Sequence, residues 1–242
     1  TSAVNRFFAA HTDAEVVVHL AGQVSFMSSL ADPRSDFEIN ALGTLNVVDA
    51  VVRHAPQTRL VFSSTNKVYG TQEELRTEEL HTRYVFPEYP NGLPSDLPLR
   101  PSGGYSVSKM SADQIVLDWS RHHGLRGVVF RQSSVYGGRQ FATEDQGWAA
   151  FFAERFVTNE SFRISGNGKQ VRDLLHHLSG AVGHHGVSHN KVEVLRGQSA
   201  FGLPRDHDHP TVCRDVGVGW AGPALLHLFL DGKRSLGDIL AW

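Results

Sequence analysis

The apolar positions in the first half of this chain follow two rhythms. Short unbroken runs, Val16 to Val18, Leu60 to Phe62 and Val128 to Phe130, are rich in β-branched and aromatic residues and stop at polar positions. Runs that are apolar throughout suit strands of a parallel sheet covered on both faces. Between them the spacing lengthens to three and four. Phe37, Ile39, Leu42, Leu45, Val48 and Val52 recur on that period and predict one long amphipathic helix over Asp32 to Ala55. Asp32-Pro33 is a good start for it, with the proline in the first turn. A second helix is predicted over Tyr105 to His123, with Gly124 as its stop, and a third over Gly147 to Val157.

Strand, helix, strand, helix, strand implies right-handed βαβ units and an α/β fold with a parallel sheet. Ligands of such sheets sit at the carboxyl ends of the strands. The polar ends here are His19 to Gly22, Ser63-Ser64-Thr65 and Arg131 to Ser134, so they are expected side by side. The segment between Gly70 and Gly104 holds Pro87, Pro90, Pro94, Pro98 and Pro101 and cannot be a helix through them. A loop of that length predicts a cover over the substrate cleft.

Composition narrows the functional classes. With 23 basic and 25 acidic residues the formal net charge is -2, which leaves no basic footprint for nucleic acid. Cys213 is the only cysteine, so no intrachain disulfide forms and a reducing compartment, the cytoplasm, is expected. No apolar run approaches the ~20 residues of a membrane span. His207 and His209 sit in a histidine-rich tail, but no C-x-x-C or H-E-x-x-H spacing accompanies them, and no metal is expected.

The chemistry-bearing pattern is Y-S-V-S-K, which puts Tyr105 and Lys109 four apart on one face of a predicted helix. An ammonium beside a phenol favours the phenolate, which predicts a lowered Tyr105 pKa and a base working near neutral pH. Thr65, at the end of the preceding strand, is the hydroxyl expected opposite it. By itself Y-x-x-x-K is usually a surface pair. Here it follows a strand ending in hydroxyls and heads a helix, and that context raises the functional reading.

The stretches H-L-A-G (from His19), F-S-S-T-N-K-V-Y-G (from Phe62), Y-S-V-S-K, V-V-F-R-Q-S-S-V-Y-G-G-R-Q-F-A-T-E-D-Q-G-W (from Val128) and I-S-G-N-G-K-Q-V-R-D-L-L-H (from Ile164) resemble the extended short-chain dehydrogenase/reductases that modify nucleotide sugars, the NAD-dependent epimerase/dehydratase family. Within it they are most similar to the branch that epimerises C2 of CDP-deoxysugars. The resemblance covers roughly Val16 to His176. It implies a partial Rossmann-type sheet with flanking helices, bound NAD and a CDP-sugar substrate, with CDP-paratose going to CDP-tyvelose through a 2-keto sugar. It implies a homodimer or higher homo-oligomer, paired through the helices of Asp32 to Ala55 and Tyr105 to His123.

Residue by residue, the resemblance implies Thr65, Tyr105 and Lys109 as catalytic. Leu20, Ala21, Gly22, Asn40, Ser63, Arg131, Tyr105 and Lys109 match the cofactor side. Gln23, Thr65, Asn66, Lys67, Ser133, Gln146 and Arg172 match the substrate side, with Arg172 on the diphosphate, where a planar guanidinium can bind bidentately. For Asp145, Gln146 and Trp148 two readings stand, lining of that pocket or, for Trp148, simple core, with Gln146 leaning to the pocket, while Asn167 and Lys169 read as turn residues. The family's 4,6-dehydratases carry an Asp-Glu pair after the threonine. Here those positions are Asn66 and Lys67, which disfavours dehydration.

Two features depart from the family. The family opens on a strand and a G-x-x-G-x-x-G turn that cradles the NAD pyrophosphate. No such turn precedes Val16, so the strand of Val16 is expected at a raw sheet edge. After His176 the periodicity fades and histidine and glycine accumulate, an abrupt change of the kind a frameshift in the coding sequence produces; a divergent tail is the rival reading. The domain expectation is therefore a partial NAD-binding domain over 1–135, a substrate-binding segment over 136–176, and a reduced or irregular C-terminal lobe over 177–242.

Overall fold

The computed structural model describes residues 2–81, 83–90, 92–143, 146–164 and 174–176, together with the backbone of one strand at 191–194. Within these residues the chain forms two compact units, divided after Gln72, before Ser95 and after Gln132.

The first unit is the sheet unit. Helix α1 (Ser2–Ala10) leads into strand β1 (Val16–His19), short helices α2 (Phe26–Ala31) and α3 (Pro33–Phe37), and helix α4 (Gly43–His54). Strand β2 (Arg59–Ser63) follows, and later helix α5 (Gly104–His122) and strand β5 (Arg126–Arg131). Strands β1, β2 and β5 are parallel and in register, with His19 beside Phe62 and Ser63 beside Phe130. The three polar strand ends are thus neighbours, as the alternation of elements requires. A fourth strand, β8 (Lys191–Val194), runs antiparallel against β5, pairing Arg131 with Lys191. No strand was expected in this stretch.

The core lies on one face of this sheet. Phe8, Val48, Val51, Leu60, Phe62, Ala112, Val116, Leu117 and Val129 pack together and are almost fully buried. Burial alternates along β2, with Leu60 and Phe62 inward. The expectation of strands covered on both faces fails for β1. Val16 and Val18 point to the opposite face and stay 47% and 57% exposed, because the described helices pack against the other side. Among the described residues β1 pairs only with β2, so it is a sheet edge.

The predicted helix over Asp32 to Ala55 is present but not regular. Asp32 caps α3 by accepting a bond from the Ser35 N–H at 3.0 Å, with Pro33 at the first helical position. A π-helical turn at Glu38–Leu42 then interrupts it, and the Gly43 N–H reaches back to the Glu38 carbonyl. A turn with i→i+5 bonds holds an extra residue and rotates the faces of the segments it joins. Phe37, Ile39 and Leu42 accordingly end 45%, 47% and 46% exposed, while Asp36, Asn40 and Thr44 are buried. The apolar stripe read from the sequence faces inward only from Leu45 on, where Leu45, Val48 and Val52 pack into the core. Helix α5 ends as its sequence requires, with Gly124 at φ +73° and the Leu125 N–H bonded to the Trp119 carbonyl at 3.2 Å.

The second unit holds the two-stranded pair β3 (Glu78–Glu79) and β4 (Tyr84–Val85), the parallel pair β6 (Ser134–Tyr136) and β7 (Leu174–His176), and helix α6 (Trp148–Val157). Gly147 starts α6 in the left-handed region at φ +75°, and Phe152 stacks on Phe162 at 4.9 Å. The proline-rich segment therefore carries a short hairpin-like pair rather than loop alone. Among the described residues, no helix is long and apolar enough to cross a membrane.

Candidate active site

The β2 strand delivers three consecutive hydroxyls, and each has a different partner. Ser63 donates to Gln132 Oε1 at 3.0 Å, and its carbonyl accepts from Lys109 Nζ at 2.6 Å. Ser64 donates to the buried carboxylate of Asp113 at 2.7 Å. Thr65 caps the 3₁₀ turn Asn66–Tyr69, accepting from the Lys67 N–H at 3.2 Å, and its side chain is also hydrogen-bonded to Tyr105. Capping and pairing with the tyrosine are therefore two roles of one hydroxyl. Val68 and Tyr69 anchor the turn in the interior, while Asn66 is half-buried and Lys67 exposed.

Tyr105 and Lys109 occupy the first turns of α5. The Lys109 ammonium is buried, lies 4.5 Å from the centre of the Phe62 ring, and donates to the Ser63 carbonyl. Burial lowers its pKa to about 8 despite the opposing charges of Asp113 and Asp36. Tyr105 departs from expectation. Its pKa is raised, because burial disfavours the phenolate and the charge of Asp36 adds to that effect; the Thr65 hydrogen bond pulls the other way. Lys109 therefore does not dominate the phenol's equilibrium in the protein alone.

The loop after β1 is pinned from the π turn. Asn40 Oδ1 accepts from the Gln23 N–H at 2.9 Å, and Asn40 Nδ2 donates to the Gln23 carbonyl at 3.1 Å and to Ser108 Oγ at 3.0 Å. Asn40 is thus a clamp between the loop and α5, with its amide bonded to protein groups. A Cβ on Gly22 would lie 2.9 Å from Asn40 Oδ1, so glycine lets the two approach. The neighbouring Leu20 stays 67% exposed. Gln23 bonds its own loop through Nε2 to the Ser25 carbonyl at 2.8 Å, while its Oε1 is buried without a partner.

The cofactor role expected of the Arg131 side chain does not fit its surroundings. Its guanidinium forms a two-pronged bond to Asp113, at 2.9 and 2.8 Å, and donates to Tyr69 Oη at 2.9 Å and the Ser95 carbonyl at 3.1 Å. A buried cation needs such partners, and here they are internal. Ser133 and Gln146 belong to the second unit, where Gln146 pairs its backbone with Thr143 and Trp148 Nε1 lies 3.4 Å from Ser134 Oγ. Asp145, Asn167, Lys169, Arg172, His207 and His209 lie outside the described residues.

Sequence reasoning missed Asp36, Ser108 and Asp113. A signal for the first existed: Asp36, Asn40 and Thr44 are polar at four-residue steps, which sets them on one helix face.

A family model described as "NAD dependent epimerase/dehydratase family" matches residues 1–193. The chain belongs to the NAD dependent epimerase/dehydratase family. The match runs past His176, the last residue of the resemblance read from the sequence. A CDP-paratose 2-epimerase of Salmonella typhi is 50% identical over 163 residues, covering 65% of this chain and 48% of that protein. Among solved structures, a UDP-glucose 4-epimerase of Thermotoga maritima with UDP-glucose superposes with TM-score 0.60 at 28% identity, over 72% of this chain and 52% of that one. A UDP-glucose 4-epimerase of Thermus thermophilus in complex with NAD gives 0.58 at 29%, over 72% and 53%. The chain thus spans about half the length of the relatives it matches.

NAD is the cofactor of this family. The residues of the sheet unit fit its nicotinamide-ribose half: a phenol, a buried ammonium with donors beyond the one given to Ser63, and a clamped loop beside them. The G-x-x-G-x-x-G spacing of a pyrophosphate turn recurs at Gly180, Gly183 and Gly186, which lie outside the described residues.

Proposed function

We propose that this chain carries the reaction centre of an epimerase that acts at C2 of a CDP-linked deoxysugar and interconverts CDP-paratose and CDP-tyvelose. What carries the reading is the hydrogen-bonded Thr65–Tyr105 pair, followed by Asn66 and Lys67 rather than carboxyl groups. A hydroxyl pair of this kind can move a proton on and off a sugar oxygen, but it offers no acid-base couple for eliminating water. The 50% identity to a CDP-paratose 2-epimerase supports the choice of sugar, base and carbon.

Bound NAD would supply a reversible hydride acceptor for the sugar carbon. Tyr105, once its own proton has left and it stands as the phenolate, would take the proton of the C2 hydroxyl and would give that proton back to the same oxygen when the flat 2-keto sugar is reduced on its other face. Thr65 holds that oxygen against Tyr105. Lys109, fixed by Ser63, would bind the nicotinamide ribose, and the loop Leu20 to Gly22, held by Asn40, would border the cofactor. Gln23, Asn66, Lys67, Ser133, Gln146 and Arg172 are the residues we assign to the nucleotide sugar. A second copy of this chain is the partner we assign to the exposed side chains of Phe37, Ile39 and Leu42, and light scattering of the purified protein reads that directly.

The test is incubation of the purified protein with CDP-paratose and NAD, with the sugar followed by NMR. Appearance of CDP-tyvelose without net NADH supports the reading. Unchanged CDP-paratose, from a preparation that binds NAD in calorimetry, overturns it.

A further inference from the structure

Asp36 is a carboxylate with no role in the chemistry above, yet it sits against it. It lies on α3, is 1% exposed, and is reached by no solvent that could screen it. One oxygen, Oδ2, accepts from Ser108 Oγ; the other, Oδ1, is buried without a partner. Ser108 lies between Tyr105 and Lys109 on α5. Its hydroxyl has a single proton, and the Tyr105 carbonyl, 3.0 Å away, competes for it. A carboxylate is the stronger acceptor, so the proton goes to Asp36. Ser108 Oγ is then free to accept from Asn40 Nδ2, the amide that clamps Gln23. One chain of bonds therefore runs from Asp36 through Ser108 and Asn40 to the loop at Gly22. Leaving a buried carboxylate oxygen unpaired is costly, and such exceptions cluster where function requires them.

We propose that Asp36 is a positioning residue for the Tyr105–Lys109 pair: its buried carboxylate fixes Ser108, ties α5 to the loop at Gly22, and sets a negative charge within electrostatic reach of both side chains. The charge acts on Tyr105 and Lys109 in the same direction, holding each in its protonated form. The other groups facing this pair are Thr65, which favours the phenolate, Asp113, which supports the Lys109 ammonium while paired with Arg131, and His19, which faces Lys109 and is neutral at pH 7. At Tyr105 burial is the main influence that favours the protonated phenol, and the charge of Asp36 adds to it against Thr65.

This inference rests on the reading of Tyr105 and Lys109 as the reacting pair, but its test needs no turnover. Tyr105 is titrated by NMR of ring-labelled tyrosine, assigned against Tyr105→Phe, in the wild-type chain and in Asp36→Asn. The Asn variant keeps the size and a hydrogen-bonding oxygen and loses the charge. A lower Tyr105 midpoint in the variant is the expected result, and an unchanged midpoint in a folded variant overturns the electrostatic role. Ser108→Ala keeps the charge and cuts the chain of bonds. Faster hydrogen exchange at the Gln23 amide is expected there, and unchanged exchange overturns the link to the loop, whether or not Asp36→Asn folds. A shifted Tyr105 midpoint with no conversion of CDP-paratose would leave Asp36 in place and remove the proposed substrate.

Discussion

His19 offers the most quantitative check on how the site is built. It ends β1, is 8% exposed, and lies 5.4 Å from the Phe62 ring. Its Nε2 is 3.0 Å from Thr44 Oγ1. The Thr44 hydroxyl already gives its proton to the Asn40 carbonyl at 2.6 Å, so Nε2 must be the donor and Nδ1 carries none. Charging the ring adds a proton in a buried place, and the nearby Lys109 ammonium opposes it further. Together they lower the His19 pKa from 6.5 to about 4. The unfolded chain takes up this proton near pH 6.5, and the folded chain not until about 4. In that window the unfolded state binds more protons, so the contribution is intact above pH 6.5 and lost as pH falls toward 4. The difference of 6.5 − 4 = 2.5 units corresponds to about 3 kcal/mol by pH 4. The assay is urea unfolding by tryptophan fluorescence from pH 7.5 to 4, for the wild-type chain and for His19→Gln. Carboxylates act alike in both, so the difference in slope isolates the histidine. Identical pH dependence in the two proteins would refute the reasoning.

Other outcomes follow from the same geometry. Tyr105→Phe keeps the ring and removes the proton carrier; kcat is expected to fall by about 10²–10⁴ with an unchanged circular dichroism spectrum, and wild-type turnover would count against Tyr105 as the base. Arg131→Met leaves Asp113, which is 0% exposed, without its cation. The expected loss in urea unfolding is about 3–5 kcal/mol, and a loss within the error of the method would mean that Asp113 is not charged there. Gly22→Ala sets a methyl 2.9 Å from Asn40 Oδ1 and displaces the clamp on Gln23. Calorimetry should show weaker NAD binding and the melt a loss of about 1–3 kcal/mol; wild-type values for both would show that the clamp does not matter.

Much of the sheet unit was legible because its signals are local. A β-branched run ending at a polar residue, an Asp-Pro start and a glycine stop each act within a few residues, and β1, β2, β5 and α5 form where those signals fall. The helix over Asp32 to Ala55 shows the limit. Its apolar period was read on the assumption of 3.6 residues per turn, and one π turn at Glu38–Leu42 rephased it. Phe37, Ile39 and Leu42 then face outward while a carboxylate, an amide and a hydroxyl face inward. The partners of Arg131 were hidden for another reason. Its partner Asp113 is 18 positions away, on α5 rather than β5, and no periodicity links the two.

The sequence alone determined that a strand ends in Ser63-Ser64-Thr65 and that a helix begins with a tyrosine and a lysine four apart. Strand period, helix period and parallel topology are enough to bring those ends together. Which hydroxyl does what was decided by tertiary structure. Ser63, Ser64 and Thr65 differ little as residues, but the strand turns them toward Gln132, Asp113 and Tyr105 in succession. The Tyr105 equilibrium was decided there too. In the sequence its visible neighbour is a cation, while in the folded chain burial and the charge of Asp36 outweigh it, because desolvation depends on what surrounds the group and not on what adjoins it along the chain.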